Sequence, residues 1–420
     1  MGLAGAGVLV LVGLAGCVED EVGPQFANNP PTATAGPTSG LPTTVPATPM
    51  VVATPVVEAT PVTIEDLLGT RGAVQRIFLA SSETIWVVND HGESEAILDA
   101  APDEQVLAIG PSPDATQVAA IIAWDDGRAA SLVVLNAEGD LVEELDLPGE
   151  SMATPVTVRP GSSNMSVDWS PQGDKLLILS GRGTLLTVAV EPDATFEPIN
   201  LGEADGRVVE PAWSPTGQQI AFLRIDPETR TRSLAVDDLQ SGKTTDLVGP
   251  ADGRTVVEFA WEPGGQELLF TEGSALSSAI TGIDLWRIRA DGTGRELVAA
   301  AGAAAPVARI TTVTPSPDGK SVAYAVLVPG EGAPAVDSVW VRDLTSGQGI
   351  RLGLPSVRSV ENMWWTSKGL AIATVTDRRN EPILAVLLVE PSGNVSALWV
   401  EPQRAASPVP IASPVSEDAS

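Results

Sequence analysis

Trp213-Ser214-Pro215-Thr216-Gly217 decides the fold, because the chain repeats it. Trp169-Ser170-Pro171-Gln172-Gly173, Trp261-Glu262-Pro263-Gly264-Gly265, Pro315-Ser316-Pro317-Asp318-Gly319 and the shorter Pro111-Ser112-Pro113-Asp114 share its grammar. Trp365-Thr366-Ser367-Lys368-Gly369 is a decayed sixth copy. Recurrence at such a period means an array of like units. Pro pre-sets φ and Gly accepts positive φ, so the Ser-Pro-x-Gly core is a tight turn. A strand ending on a large ring precedes it, as in Val209 to Trp213. A second run follows: Leu176–Leu179, Ile220–Leu223, Leu268–Phe270, Val322–Val326 and Leu370–Val375. These runs are apolar throughout rather than alternating, which predicts strands covered on both faces. A third strand then ends in Asp291-Gly292, Ser346-Gly347 or Ser392-Gly393, which are hairpin signals, and a shorter fourth such as Arg295–Val298 closes the unit. Four antiparallel strands repeated radially predict an all-β fold, a single β-propeller of four-stranded antiparallel sheets.

The Ser-Pro prolines at 113, 171, 215, 263 and 317 span 204 residues in four intervals, a mean repeat of 51. Residues 71–402 hold about six and a half such repeats. Val74–Ala80, Ile85–Asn89 and Ala96–Leu98 read as a degenerate first blade without the turn word. Counting it predicts seven blades; six plus an extra hairpin is the alternative. The last repeat has its own fourth strand, Val395–Val400, so closing the ring does not require strands from both ends in one blade.

The strings Trp213 to Arg224 and Leu285 to Val298 resemble the repeats of TolB-type propellers, a bacterial relative of WD-type repeats. The resemblance covers roughly residues 71–402. It implies a periplasmic or otherwise extracytoplasmic setting and a propeller, and little about function, because one fold hosts many functions.

Gly2 to Gly16 carries no charge, a length short for a membrane span and suited to a signal core. It ends in Leu14-Ala15-Gly16-Cys17, which resembles the bacterial lipobox, so residues 1–16 are expected to be a lipoprotein signal peptide and Cys17 the lipidated first residue. No Lys or Arg precedes Arg71, so the usual basic opening of a signal is missing. Cys17 is the only cysteine, which excludes disulfides within the chain and thiolate metal clusters. Pro24 to Thr63 holds nine Pro, nine Thr and one charged residue, Glu58. Such a segment cannot form a core and favours extended conformations reaching about 120 Å. Residues 17–70 are therefore expected to tether the propeller to a membrane, with one capped helical turn over Thr63 to Leu68. Residues 403–420 read as a disordered tail.

Twenty-four basic against 54 acidic residues give a net charge of −30. That opposes nucleic-acid binding and electrostatic docking on anionic lipid, leaving the N-terminal lipid as the expected membrane contact. The catalytic inventory is thin. The one histidine, His91, lies in a predicted turn with no second histidine to share a metal. There is no Gly-x-Ser-x-Gly elbow and no Asp-x-Asp-x-Asp-Gly calcium loop. Gly242-Lys243-Thr244 lacks the leading glycine of a phosphate loop. No catalytic residue, metal or cofactor is expected. Trp169, Trp213, Trp261 and Trp365 share one repeat position and are expected to be wedges between blades, while Trp124 is the candidate exposed aromatic.

Equivalent first-strand positions are expected to ring one mouth of the central channel. Three residues before each anchor lie Ala108, Ser166, Glu210, Glu258, Thr312 and Asn362, joined by Arg76 if the degenerate blade is aligned through Leu79. The intervening positions are apolar, so alternation sets the polar group on the opposite face. The candidate ligand ring is therefore Arg76, Ser166, Glu210, Glu258, Thr312 and Asn362, with one of Glu210 and Glu258 raised in pKa by repulsion. It fits a cation or a polyhydroxyl ligand. The expected function is a monomeric, lipid-anchored, non-catalytic module binding a protein, peptide or glycan. The alternative is a propeller enzyme of lactonase or glycan-cleaving type with axial carboxylates.

Overall fold

The computed structural model describes residues 62–69, 72, 74–124, 129–151, 165–181, 183–199, 201, 206–249, 253–274, 281–301, 308–328, 335–378 and 381–402. The signal, Cys17, most of the tether and the tail lie outside them. Among the described residues, one short helix, α1 (Ile64–Leu68), leads into 27 strands. The first sheet has three strands, β1 (Arg76–Ala80), β2 (Thr84–Asn89) and β3 (Ser94–Asp99). The second has four, β4 (Glu104–Pro111), β5 (Gln117–Trp124), β6 (Ala129–Asn136) and β7 (Leu141–Ser151). The third is β8 (Ser166–Trp169), β9 (Lys175–Leu179), β10 (Leu185–Ala189) and β11 (Glu197–Pro198). The fourth is β12 (Arg207–Trp213), β13 (Gln219–Ile225), β14 (Arg232–Asp238) and β15 (Lys243–Val248).

Next come β16 (Arg254–Trp261), β17 (Glu267–Ser274), β18 (Thr281–Arg289) and β19 (Glu296–Ala299). They are followed by β20 (Arg309–Pro315), β21 (Ser321–Val328), β22 (Ala335–Asp343) and β23 (Gly349–Leu352). A single parallel pairing, Ile283 with Arg309, joins these two antiparallel groups into one eight-stranded sheet. The last sheet is β24 (Ser359–Thr366), β25 (Gly369–Arg378), β26 (Glu381–Val389) and β27 (Val395–Val400). Pairing within each group runs in chain order and antiparallel. The protein is an all-β, single propeller built on four-stranded antiparallel sheets.

The turn word works through its serine. Ser112, Ser170, Ser214 and Ser316 are buried. Their hydroxyls accept the backbone N–H five residues on, from Gln117, Lys175, Gln219 and Ser321, at 3.0, 3.0, 3.1 and 2.9 Å. This closes the turn on itself, as Ser and Asn side chains do where they mimic backbone acceptors. Gly173, Gly217, Gly265 and Gly319 have positive φ. Ala115 holds that place in the second sheet at φ 55°, a conformation that costs an L side chain about 1–2 kcal/mol.

The core lies between sheets. Each buried apolar cluster joins two successive groups, and the last of them joins the final sheet to the first through Trp364, Trp86 and Trp399. Trp169, Trp261 and Trp365 are buried wedges whose Nε1 atoms donate to the preceding group's first strand at Gly110, Ala212 and Thr314 carbonyls, at 2.7, 3.3 and 3.3 Å. Trp213 is only half-buried. Trp124 is half-buried too, with its Nε1 donating to Glu104 at 3.1 Å, so it is not the exposed aromatic expected.

The packed body begins earlier than residue 71. Thr63 and Asp66 form a reciprocal capping box on α1, and Leu67 and Leu68 are buried among β21, β22, β24 and β25 residues. The helical turn is thus part of the propeller and not the end of a free tether.

Candidate ligand ring

The first strands β4 and β8, β8 and β12, β16 and β20, and β20 and β24 lie side by side, so they form the inner wall. Most of them carry a β-bulge at the middle: Val106/Ala108, Val209/Ala212, Val256/Glu258, Thr311/Thr314 and Val360/Asn362. Glu210 and Thr312 sit in these bulges at φ 52° and 55°. A bulge breaks the two-residue alternation and re-aims side chains. Simple counting along the strand therefore does not carry through these positions.

Glu210 and Glu258 come close enough to repel. Arg232, at the head of β14, crosses to this site. It donates from Nη1 to Glu210 Oε1 at 2.9 Å and to the Val257 carbonyl at 3.2 Å, and its backbone N–H donates to Thr255 Oγ1 at 2.9 Å. The Glu210 side chain remains 48 % exposed. Desolvation raises its pKa, opposed by the charge and hydrogen bond of Arg232. Glu258 accepts the Val313 N–H of the next group at 3.0 Å. Desolvation pushes it to about 7, against the hydrogen bonds from Thr312 and Val313, with Glu210 repulsion adding to the rise. The repulsion expected from sequence is present, but burial is the larger cause.

A third raised carboxyl lies on the preceding first strand. Asp168, one residue before an anchor, accepts the Trp213 N–H of the neighbouring sheet at 3.0 Å. Burial pushes it up to about 6 against the hydrogen bonds from Trp213 and Trp169. Its sequence signal was a lone charge between Val167 and Trp169 in an apolar first strand. Arg232 had no such signal, since it heads a third strand and only the fold brings it to the first.

The rest of the candidate ring divides. Thr312 Oγ1 donates to the Val360 carbonyl of the adjacent first strand at 3.3 Å. Asn362 Oδ1 accepts from Met363 N at 2.7 Å and so is occupied by its own neighbour. Ser166 Oγ is buried with no hydrogen-bond partner among the described residues.

Arg76 is not in register with the others. Leu79 pairs with Trp86 as Ala120 pairs with Val133, Phe270 with Trp286 and Tyr324 with Trp340. The turn after β2 repeats the turn after β6. Asn89 bonds Glu93 and accepts from His91 and Glu93, as Asn136 bonds Asp140 and accepts from Glu138 and Asp140. β1 is therefore a second strand, and Arg76 heads it as Gln117, Glu267 and Ser321 head theirs. Its guanidinium faces Glu138 at 3.9 Å, away from the ring. Leu79 thus stands at a second-strand position and not at a first-strand anchor.

Chemically, three carboxyls lie on successive first strands, and one of them, Glu210, is paired with the Arg232 guanidinium. Glu258 and Asp168 are hydrogen-bonded to backbone across sheet boundaries, which makes them staples of the wall as well as acids. Glu210 is the member still open to solvent. His91 stands elsewhere, in the turn after β2, with its Nδ1 3.0 Å from Lys368 Nζ.

No protein-family model matches the sequence, and no curated protein matches it. Solved structures do. An oligogalacturonate lyase in complex with manganese is 15 % identical, with a TM-score of 0.52 over 77 % of this chain and 84 % of that one. An oligogalacturonate lyase from Vibrio parahaemolyticus is 12 % identical, with a TM-score of 0.52 over 78 % and 85 %. A TolB from Agrobacterium tumefaciens is 16 % identical, with a TM-score of 0.38 over 53 % and 76 %. The class of protein so defined is the β-propeller.

Proposed function

We propose that the protein is an extracytoplasmic, monomeric, non-catalytic binding module. It is held to a bacterial membrane by lipid on Cys17 and engages a protein, peptide or glycan at its axial mouth. The observation that carries the reading is Glu210. Its carboxylate is half open to solvent, backed by Arg232 and neighboured by Glu258, which holds a proton up to about 7. Such a pair offers both acceptors and a donor at neutral pH, which suits amines and sugar hydroxyls. We also propose seven blades: β1–β3, four separate groups of four strands, and the two halves of the eight-stranded sheet.

Titration calorimetry of the soluble body with oligosaccharides and with Lys-rich peptides tests the site. Binding that survives intact in a Glu210→Gln, Glu258→Gln double variant sinks it. Fractionation of a Cys17→Ser variant tests the anchor, with release into the soluble fraction expected.

A second reading, a propeller hydrolase of lactonase or glycan-cleaving type, is favoured by one observation. The Glu258 pKa lies near the value a general acid needs at neutral pH. Turnover of a lactone or glycan that is lost in Glu258→Gln, with binding retained, would select that reading.

A further inference from the structure

The fourth sheet and the β16–β19 group place charge at the same repeat position, with the signs exchanged. Trp213 pairs with Ile220 and Trp261 with Leu268, so Phe222 corresponds to Phe270 and Arg224 to Glu272. In the fourth sheet Arg224 lies 5.4 Å from the Phe222 ring centre, and its Nη1 meets Asp246 Oδ1 at 2.9 Å. One guanidinium faces one carboxylate there. In the next group the buried residue is the acid. Glu272 is 1 % exposed, and its Oε2 accepts from Arg254 Nε and from Arg295 Nη2, both at 2.6 Å. One carboxylate now holds two guanidiniums.

An unpaired buried carboxylate is strongly unfavourable, so the burial of Glu272 accounts for one arginine beside it. It does not account for two. Both nitrogens touch the same oxygen, so they lie at most twice 2.6 Å apart, where like charges repel. A guanidinium also carries more N–H donors than one carboxylate oxygen can take, and Arg254 Nη2 has no partner. The two side chains are 38 % and 37 % exposed, so solvent reaches both. Arg295 is held in place by rings, 4.4 Å from the centre of Trp286 and 5.4 Å from that of Phe270. Stacking occupies the faces of a guanidinium and leaves its N–H edge for an acceptor. Asp284 pairs with Glu272 in register, but its Oδ1 accepts the Ala301 N–H at 2.9 Å. Among the described residues it makes no ion pair with either arginine.

We propose that Arg254 and Arg295 form an anion site on the face of the β16–β19 group that packs against the fourth sheet, taking one phosphate or carboxylate group between the two guanidiniums. The anion supplies the negative charge that this cluster lacks and that Asp246 supplies to Arg224. Glu272 is a positioning residue, which gathers the two guanidiniums from β16 and from the turn before β19. Charge-assisted bonds from two forks suit an oxyanion rather than a halide. The chain's net charge of −30 repels anions elsewhere, so the attraction is confined to this cluster. The site is separate from the carboxylate ring, which takes amines or hydroxyls.

The test uses the full chain with Cys17→Ser, titrated with sodium phosphate, sodium acetate and sodium chloride at one ionic strength and followed by the arginine Nε–H resonances. Those of Arg254 and Arg295 are expected to shift saturably with phosphate or acetate and not with chloride. A response to phosphate alone assigns a tetrahedral anion, and a response to acetate alone a planar one. Arg254→Gln should weaken binding about tenfold or more. Arg289→Gln, which changes an exposed arginine of the same group, should leave it unaltered. Resonances that stay in place, a chloride response of equal size, or full affinity in Arg254→Gln would overturn the proposal and leave the three side chains as an internal ion cluster. If Arg254→Gln does not fold, the resonances of the parent chain decide alone.

Discussion

The junction between the second and third sheets and the junction between the last sheet and the first are both filled with buried apolar side chains, but by different means. At the former, Trp169 from the anchor position reaches across and donates to the Gly110 carbonyl. At the latter no anchor ring arrives among the described residues. Trp364 fills the space from the other side, and Trp86 and Trp399 stack at a 5.7 Å centroid distance and 54° tilt. Three of the repeated junctions, those of Trp169, Trp261 and Trp365, are each specified by one directional hydrogen bond from the wedge. The unique junction is filled with apolar bulk and leaves the Trp364 and Trp399 Nε1 atoms without partners. A polar clasp adds to it at the rim, where Lys368 Nζ donates to the Asp90 carbonyl at 2.7 Å.

The largest effect should come from emptying a repeated junction. Trp169→Ala is expected to cost about 3–5 kcal/mol, the range for removing a core ring, measured by urea denaturation. A loss below 1 kcal/mol would show that the wedges are dispensable and the comparison misdrawn.

A pH titration probes the inner wall that these junctions hold together. Glu258 and Asp168 have pKa values of about 7 and about 6 in the folded chain, both above their ordinary values. Between about pH 4 and 7 the folded state thus binds more protons than the unfolded state. The stability contributed by these groups is full below about pH 4 and is lost as pH rises through about 7. Glu258→Gln is expected to remove up to about 1.4 kcal/mol per pH unit of that slope. An unchanged pH profile would mean the carboxyl is not held protonated.

Smaller still is the contrast between two rings. Trp169→Phe breaks a buried hydrogen bond and leaves the Gly110 carbonyl unpaired, whereas Trp364→Phe deletes an N–H that has no partner. The first should be more destabilising by about 1 kcal/mol in the same denaturation assay. Equal costs would erase the distinction between the junctions. Lys368→Ala, at a half-exposed clasp, is expected to cost at most about 1 kcal/mol, and thermal melts in low and high salt should show the loss shrinking with salt.

Much of this architecture was legible. The Ser-Pro-x-Gly turns, the apolar second strands and the wedge positions could be read because each depends on residues within about ten positions of one another. The serine's cap was implicit in the same word, since its acceptor and donor are five residues apart. The identity of β1 was not legible in the same way. Second and first strands are both short apolar runs, and only its pairing with Trp86 shows which one it is.

The sequence by itself determined the class of fold, the spacing of its sheets and the acidic first-strand positions Glu210 and Glu258, because local chemistry recurs with the repeat. Tertiary structure alone decided what those carboxylates meet. Bulges at Glu210 and Thr312 turned the strand off its alternation, Arg232 arrived from a third strand, and burial raised Glu258 more than its charged neighbour did. Alternation is a property of one strand. Desolvation and charge pairing depend on everything packed around it.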